Sequence, residues 1–163
     1  VKLLADPSFI IVHTEGTKRS PGGIVPFGTV KSIRDWHVKG NGWEDIGYHL
    51  VITKDGKSHV GRRRDRQGAG VEGFNSRALH ICVTGNADYI PFNPKQYKTL
   101  IEFLAKWANE LQIPASHILG HRECYAYPGV KNTGKTCPGK LTDMDAIRQD
   151  TTRAMKRLRM GHD

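Results

Sequence analysis

Apolar positions along the chain fall into two patterns: short unbroken runs, and longer stripes that recur every three and four residues. Phe9-Ile10-Ile11-Val12 is the first run, set between Pro7 and Gly16. Its length and β-branched content predict a buried strand with His13 at its exit. Gly47 to Thr53 predicts a second strand. The step Lys54-Asp55-Gly56-Lys57 predicts a tight hairpin turn from it into an antiparallel partner over Ser58 to Arg62. Leu79 to Thr84, closed by Gly85, predicts a fourth strand, and Ile118-Leu119-Gly120 reads as an additional short one.

Three stripes have helical period. After the cap Thr29, Val30, Ile33, Trp36 and His37 share a face until Gly40 ends the run. From Pro94 onward, Tyr97, Leu100, Ile101, Leu104, Trp107, Ala108 and Leu111 form one apolar stripe that Pro114 stops. A third helix, at about 142–159, takes Thr142 or Asp143 as its cap and carries Met144, Ile147, Thr151, Ala154, Met155 and Leu158 on one side. Lys156, Arg157 and Arg159 crowd its last turns, where cations suit the negative end of the helix dipole. Such a helix either docks its apolar side on the core or lies on an anionic membrane, and docking is the commoner use. Strands that come first and last around a helix, with hairpins and no regular βαβ repeat, predict a single α/β domain over 1–163, its central mixed β-sheet flanked by helices. Gly16 to Gly28, Gly68 to Gly73 and Tyr127 to Gly139 are long loops of the kind that line a site.

Composition narrows the class. The 163 residues suffice for one buried core and are too few for two ordinary domains. No apolar stretch is long enough to cross a bilayer, and the start of the chain shows no signal-peptide pattern. The net charge of +9 and pI near 9.6 predict attraction to a polyanion. No finger spacing or RNA-binding signature accompanies that charge, so nucleic acid is not the expected partner.

The chemistry-bearing residues are few. His13 leaves one predicted strand and His121 follows another, so both could edge one cleft. Cys137 lies in the polar stretch Lys135-Thr136-Cys137-Pro138, where a thiol gains nothing by packing, whereas Cys82 sits between Ile81 and Val83 in a strand as a core residue would. Two imidazoles and a thiolate would leave a zinc ion one open position, the catalytic arrangement; Cys124, three residues after His121, could close it as a structural site. Spacing alone leaves both readings open, together with that of no metal at all. Glu123 reads as a surface carboxylate.

A series of segments then adds to this reading: Ile11-Val12-His13, Trp36-His37, Gly42-Trp43-Glu44-Asp45-Ile46-Gly47-Tyr48-His49-Leu50-Val51-Ile52, Asp55-Gly56, Gly61-Arg62, Gly73-Phe74-Asn75-Ser76, Ile81-Cys82-Val83, Gly120-His121-Arg122-Glu123 and Thr136-Cys137-Pro138. In this order the chain resembles the type 2 N-acetylmuramoyl-L-alanine amidases, a group that includes amidase-type phage lysozymes and the peptidoglycan recognition proteins. The resemblance implies zinc bound by His13, His121 and Cys137, with Tyr48 and Lys135 facing the reacting centre and Arg62 and Asn75 as candidates for holding the peptide stem. It also implies hydrolysis of the amide joining N-acetylmuramic acid to L-alanine in peptidoglycan. A phage-encoded endolysin of this kind would reside in the host cytoplasm before release to the wall, act as a monomer, and be helped by its charge onto an anionic envelope. The alternative is a binding module of the same fold that does not cut; such relatives commonly lack the cysteine ligand, which is present here. The chain departs from the family in lacking a histidine in the loop Gly68 to Asn75 and in a longer segment from Tyr125 to Gly134.

Overall fold

The computed structural model describes residues 2–15, 19–20, 23–24 and 28–161, with 19–20 and 23–24 described by their backbone alone. The expected loop Gly16 to Gly28 therefore lies largely outside the described residues. The two short pieces within it pair as a ribbon, β2 (Arg19–Ser20) against β3 (Gly23–Ile24).

A five-stranded sheet organises the rest, with strand order β5-β4-β6-β1-β7. Its members are β1 (Phe9–Thr14), β4 (Leu50–Ile52), β5 (Ser58–Val60), β6 (Ala78–Val83) and β7 (Ile118–Gly120). β1 runs parallel to β6 and β7, β4 runs parallel to β6, and the hairpin partner β5 is antiparallel, so the sheet is mixed. Every residue of β1 and β6 is buried. That explains their largely apolar runs, interrupted by His13 and Thr14 in β1 and His80 in β6: a strand covered on both faces has no solvent side to mark with alternating polar residues.

Alternation assigns the two faces. Ile10, Val12, Leu50, Ile52, Leu79, Ile81 and Val83 join the stripes of α2 (Pro94–Leu111) and α3 (Met144–Arg159) in the main core. Leu100, Ile101, Leu104 and Trp107 of α2 are buried there, each worth roughly 1.5–3 kcal/mol. α2 begins in a capping box between Asn93 and Gln96; α3 begins at Asp143, whose carboxylate accepts the Ala146 N–H. Met144, Ile147, Thr151, Ala154 and Met155 turn into the core, so most of the apolar side of α3 is covered, whereas Leu158, expected on that side, is exposed beside the basic face. This is the docked reading of the basic helix, and its start at Met144 lies two residues inside the expected bound.

The opposite face carries Phe9, Ile11 and Ala78 with Phe74, Leu119 and Cys124 at one end, and Val51 with Ile33 and Ile46 at the other. Between these two apolar patches lie His13, His80 and His49, all buried. α1 (Val30–Asp35), capped by Thr29, passes into a π-helical turn over Trp36–Gly40. That turn carries the buried His37 while leaving Trp36 at the rim.

Candidate metal centre

Parallel strands put the site where their carboxyl ends converge. His13 stands on β1 one residue before its end, inside the strand and not beyond it as the apolar run suggested. β7 ends at Gly120, and His121 opens the 3-10 segment His121–Ala126 beside it. Cys137 arrives on the loop that crosses above. The ligand atoms of His13, His121 and Cys137 all lie within 4.8 Å of one another, with Cys137 Sγ 3.6 Å from His13 Nδ1 and the His13 and His121 ring centres 5.0 Å apart.

Arg122 holds that loop in place. Its guanidinium donates to the carbonyls of Thr136 at 3.1 Å, Gly139 at 2.8 Å and Thr142 at 2.8 Å, and its own N–H donates to the carbonyl of Cys137 at 2.8 Å. From the other side Asp88 accepts the Thr136 hydroxyl and the Lys140 N–H, both at 2.8 Å. Gly139, at φ 105°, sits where a Cβ would come within 2.5 Å of Ala87, so the close crossing requires glycine. The residue beside His121 thus fixes the segment that carries Cys137.

Burial shapes the donors. It drives His13 well below the ordinary imidazole range and His121 down to about 4, in both cases with help from the Lys135 charge. It pushes the Cys137 thiol up to about 12. The imidazoles are therefore neutral and free to donate lone pairs, while a thiolate in this place needs a nearby cation to offset its lost hydration. Such a donor set fits a borderline divalent ion.

A cleft of about 690 Å³ opens over these three residues, walled by Trp36, His37, Trp43, Tyr48 and Lys135. Tyr48 does not belong to a strand, because β4 begins only at Leu50 and the chain bends at His49. Tyr48 thereby leaves the face of Leu50 and Ile52, and its ring centre stands 5.0 Å from that of His13. Burial raises its phenol well above 10, keeping it a neutral donor. Lys135 reaches the cleft from the exposed rim.

Arg62 and Asn75 do not line the cleft. Arg62 spends its guanidinium on the carbonyls of Ile46, Gln67 and Asp45 at 2.9, 2.7 and 3.0 Å, bracing the segment before Tyr48. Asn75 accepts the Val71 N–H at 3.0 Å within its own turn. Cys124 packs against Phe9, Ile11 and Phe74 with its thiol on the Gly120 carbonyl, so it does not supply a fourth ligand. Glu123 is not a surface carboxylate: it accepts the Gly120 N–H at 2.8 Å and pairs with both terminal nitrogens of Arg148 at 2.8 and 3.0 Å.

The sequence reading gave no site role to two residues that line the cleft, Glu15 and His37. Glu15 lines the cleft, almost wholly buried, and neither carboxylate oxygen has a hydrogen-bond partner among the described residues. Burial raises it to about 8, which the nearby Gly85 amide only partly offsets. It stands two residues past His13, a spacing that shares a strand face and could have flagged it. His37 accepts the Gly47 N–H on Nδ1 at 2.9 Å, and its ring lies tilted against those of Trp43 and Tyr48, with centres 4.6 and 5.3 Å away.

A mixed sheet with two imidazoles and a thiol converging at its carboxyl edge, under an aromatic cleft, defines an α/β protein with a candidate metal centre. The family model described as N-acetylmuramoyl-L-alanine amidase matches residues 4–140, and the chain belongs to that family. The endolysin of Klebsiella phage KP32 is 32% identical over 123 residues, covering 72% of this chain and 76% of that protein. The endolysin of Escherichia phage T7 is 31% identical over 127 residues, covering 72% and 80%. Among solved structures, the N-acetylmuramoyl-L-alanine amidase LysC from Clostridium intestinale shares the fold at TM-score 0.69 and 23% identity, covering 100% of this chain and 95% of that one. Bumblebee PGRP-SA shares it at TM-score 0.71 and 22% identity, covering 91% and 84%.

Proposed function

We propose that this protein hydrolyses the amide between N-acetylmuramic acid and the L-alanine of the peptide stem in bacterial peptidoglycan, as a zinc-dependent lytic enzyme of the endolysin kind. The observation that carries this reading is the approach of the His13, His121 and Cys137 ligand atoms to within 4.8 Å on the floor of a cleft. Zinc held by these three would supply Lewis-acid polarisation of the scissile carbonyl and a water acidic enough to attack it near neutral pH.

The chain's own groups do the rest. Attack builds negative charge on the carbonyl oxygen, and the Tyr48 phenol and Lys135 ammonium are the donors available in the cleft to hold it. The departing nitrogen needs a proton, which a water relayed by Tyr48 can deliver. Trp36 and Trp43 give the cleft flat apolar walls suited to sugar and peptide surfaces. No described helix is long and apolar enough to cross a membrane, and the formal charge of +9 would concentrate the protein on an anionic envelope.

The test is digestion of purified wall with and without a chelator. New free amino groups on alanine, no new reducing sugar ends, and loss of both activity and products with chelator are expected. Reducing ends would reject the amidase assignment; tight wall binding with no new termini would favour a module that binds without cutting.

A further inference from the structure

His80 lies on β6 at the cleft face, fully buried, in a register where an apolar residue would be the ordinary choice. Its Nδ1 is 2.9 Å from His13 Nε2. The other nitrogen of His13, Nδ1, is the one that faces Cys137. Across the pair, Gly70 leaves room for both rings: a Cβ there would sit 2.4 Å from His80 Nδ1 and 2.8 Å from His13 Nε2.

Behind His80 the backbone is fixed as well. Its N–H donates to His49 Nδ1 at 3.0 Å, which puts the His49 proton on Nε2, where it is donated to the Arg66 carbonyl at 2.8 Å. The His49 and His80 rings lie parallel, 8° apart, with centres 5.8 Å from each other. His80 Nε2 is buried without a partner among the described residues. An imidazole with one orphaned nitrogen is a poor packing residue, since a leucine would fill the space without that cost.

Resting on the proposed metal centre, we infer that His80 is a positioning residue: it accepts the Nε2–H of His13 and so commits the His13 lone pair at Nδ1 to the ion. A neutral imidazole carries one proton, and the nitrogen that holds it cannot be a ligand. By taking the hydrogen bond at Nε2, His80 fixes both the tautomer and the ring plane of His13. Gly70 is then required because any side chain would drive the two rings apart.

The test compares His80→Phe, which keeps a ring and removes the acceptor, with His80→Gln, which keeps an acceptor. Zinc affinity is read by competition with a chromophoric chelator, geometry by the visible spectrum of the cobalt-substituted protein, and folding by circular dichroism. His80→Phe is expected to weaken zinc binding roughly 10- to 100-fold, as loss of an outer-shell partner commonly does, and to alter the cobalt spectrum. His80→Gln should recover most of the affinity. A folded His80→Phe with unchanged affinity and spectrum overturns the role, as does a folded His80→Gln as weak as His80→Phe. Should His80→Phe not fold, His80→Leu decides, because it removes the acceptor with a smaller apolar side chain: weakened zinc that His80→Gln recovers supports the role and unchanged zinc overturns it. Wild-type protein that binds no zinc would defeat the reading of function itself, whereas unaltered binding in the variants defeats only the part given to His80.

Discussion

Replacing Arg122 with methionine removes the clip between the segment after His121 and the loop that brings Cys137, while keeping an apolar stem of similar reach. Three hydrogen bonds from a charged donor are lost, to the carbonyls of Thr136, Gly139 and Thr142. Bonds of this type are worth about 1.5–3 kcal/mol each. Arg122 is only half-buried and water can replace part of what is lost, so the low-end sum of about 4.5 kcal/mol is an upper bound and a total near 2–4 kcal/mol is expected. That is a large fraction of the stability of a small domain. The loosened loop must also be ordered again when the ion binds, so zinc affinity should fall with stability. Urea unfolding in chelator gives the first quantity and competition titration the second. Arg122→Lys should recover less than half, because a single ammonium cannot fork to three carbonyls. A loss under about 0.5 kcal/mol together with unchanged zinc affinity would refute the claim that Arg122 sets the loop.

Three further outcomes follow from the geometry. Cys137→Ser should abolish stoichiometric zinc binding while Cys124→Ser retains it; zinc loss in Cys124→Ser would restore the four-ligand structural site. Burial lowers His37 and His49 from 6.5 to about 4, so both are neutral in the folded protein. Their contribution is complete above pH 6.5 and is lost as pH falls through 4, at most roughly 3 kcal/mol each; metal-free unfolding free energy that stays flat from pH 7 to 4 would contradict this. Glu15 has the opposite sign: raised from 4.5 to about 8, its contribution is complete below pH 4.5 and lost as pH rises through 8. Glu15→Gln should therefore stabilise the metal-free protein at pH 9, by at most roughly 5 kcal/mol, and change little at pH 4.5; equal effects at both pH values would show that the carboxyl is not desolvated.

Much of the fold was legible because burial writes itself into periodicity. Phe9 to Val12 is apolar on both faces, and Leu79 to Val83 nearly so but for His80, since helices cover one side of the sheet and the site's surrounding patches cover the other. The stripe of α2 follows the helical period directly, whereas its Asn93 cap, one residue before Pro94, carries no such signal. Periodicity failed at Tyr48, where the chain bends before β4 and the alternation carried back from Leu50 points the ring to the wrong face. The ligand trio was legible by residue type and resemblance, but its convergence was not, because Arg122, Asp88 and Gly139 act through the backbone of a loop with no period. His80 was hidden for another reason: it occupies a core register, and its distinction from a packing residue is a hydrogen bond to a residue 67 positions away. Arg62 misled in the converse way, since a cation near a cleft motif is as well spent on carbonyls as on substrate.

The central claim is that two imidazoles and one thiolate share a single cation with a position left open. X-ray absorption of the zinc-loaded protein measures this directly. One sulfur near 2.3 Å and two nitrogens at about 2.0–2.1 Å, with one further light-atom ligand, are expected; a zinc shell without sulfur, or with two sulfurs, would contradict the account.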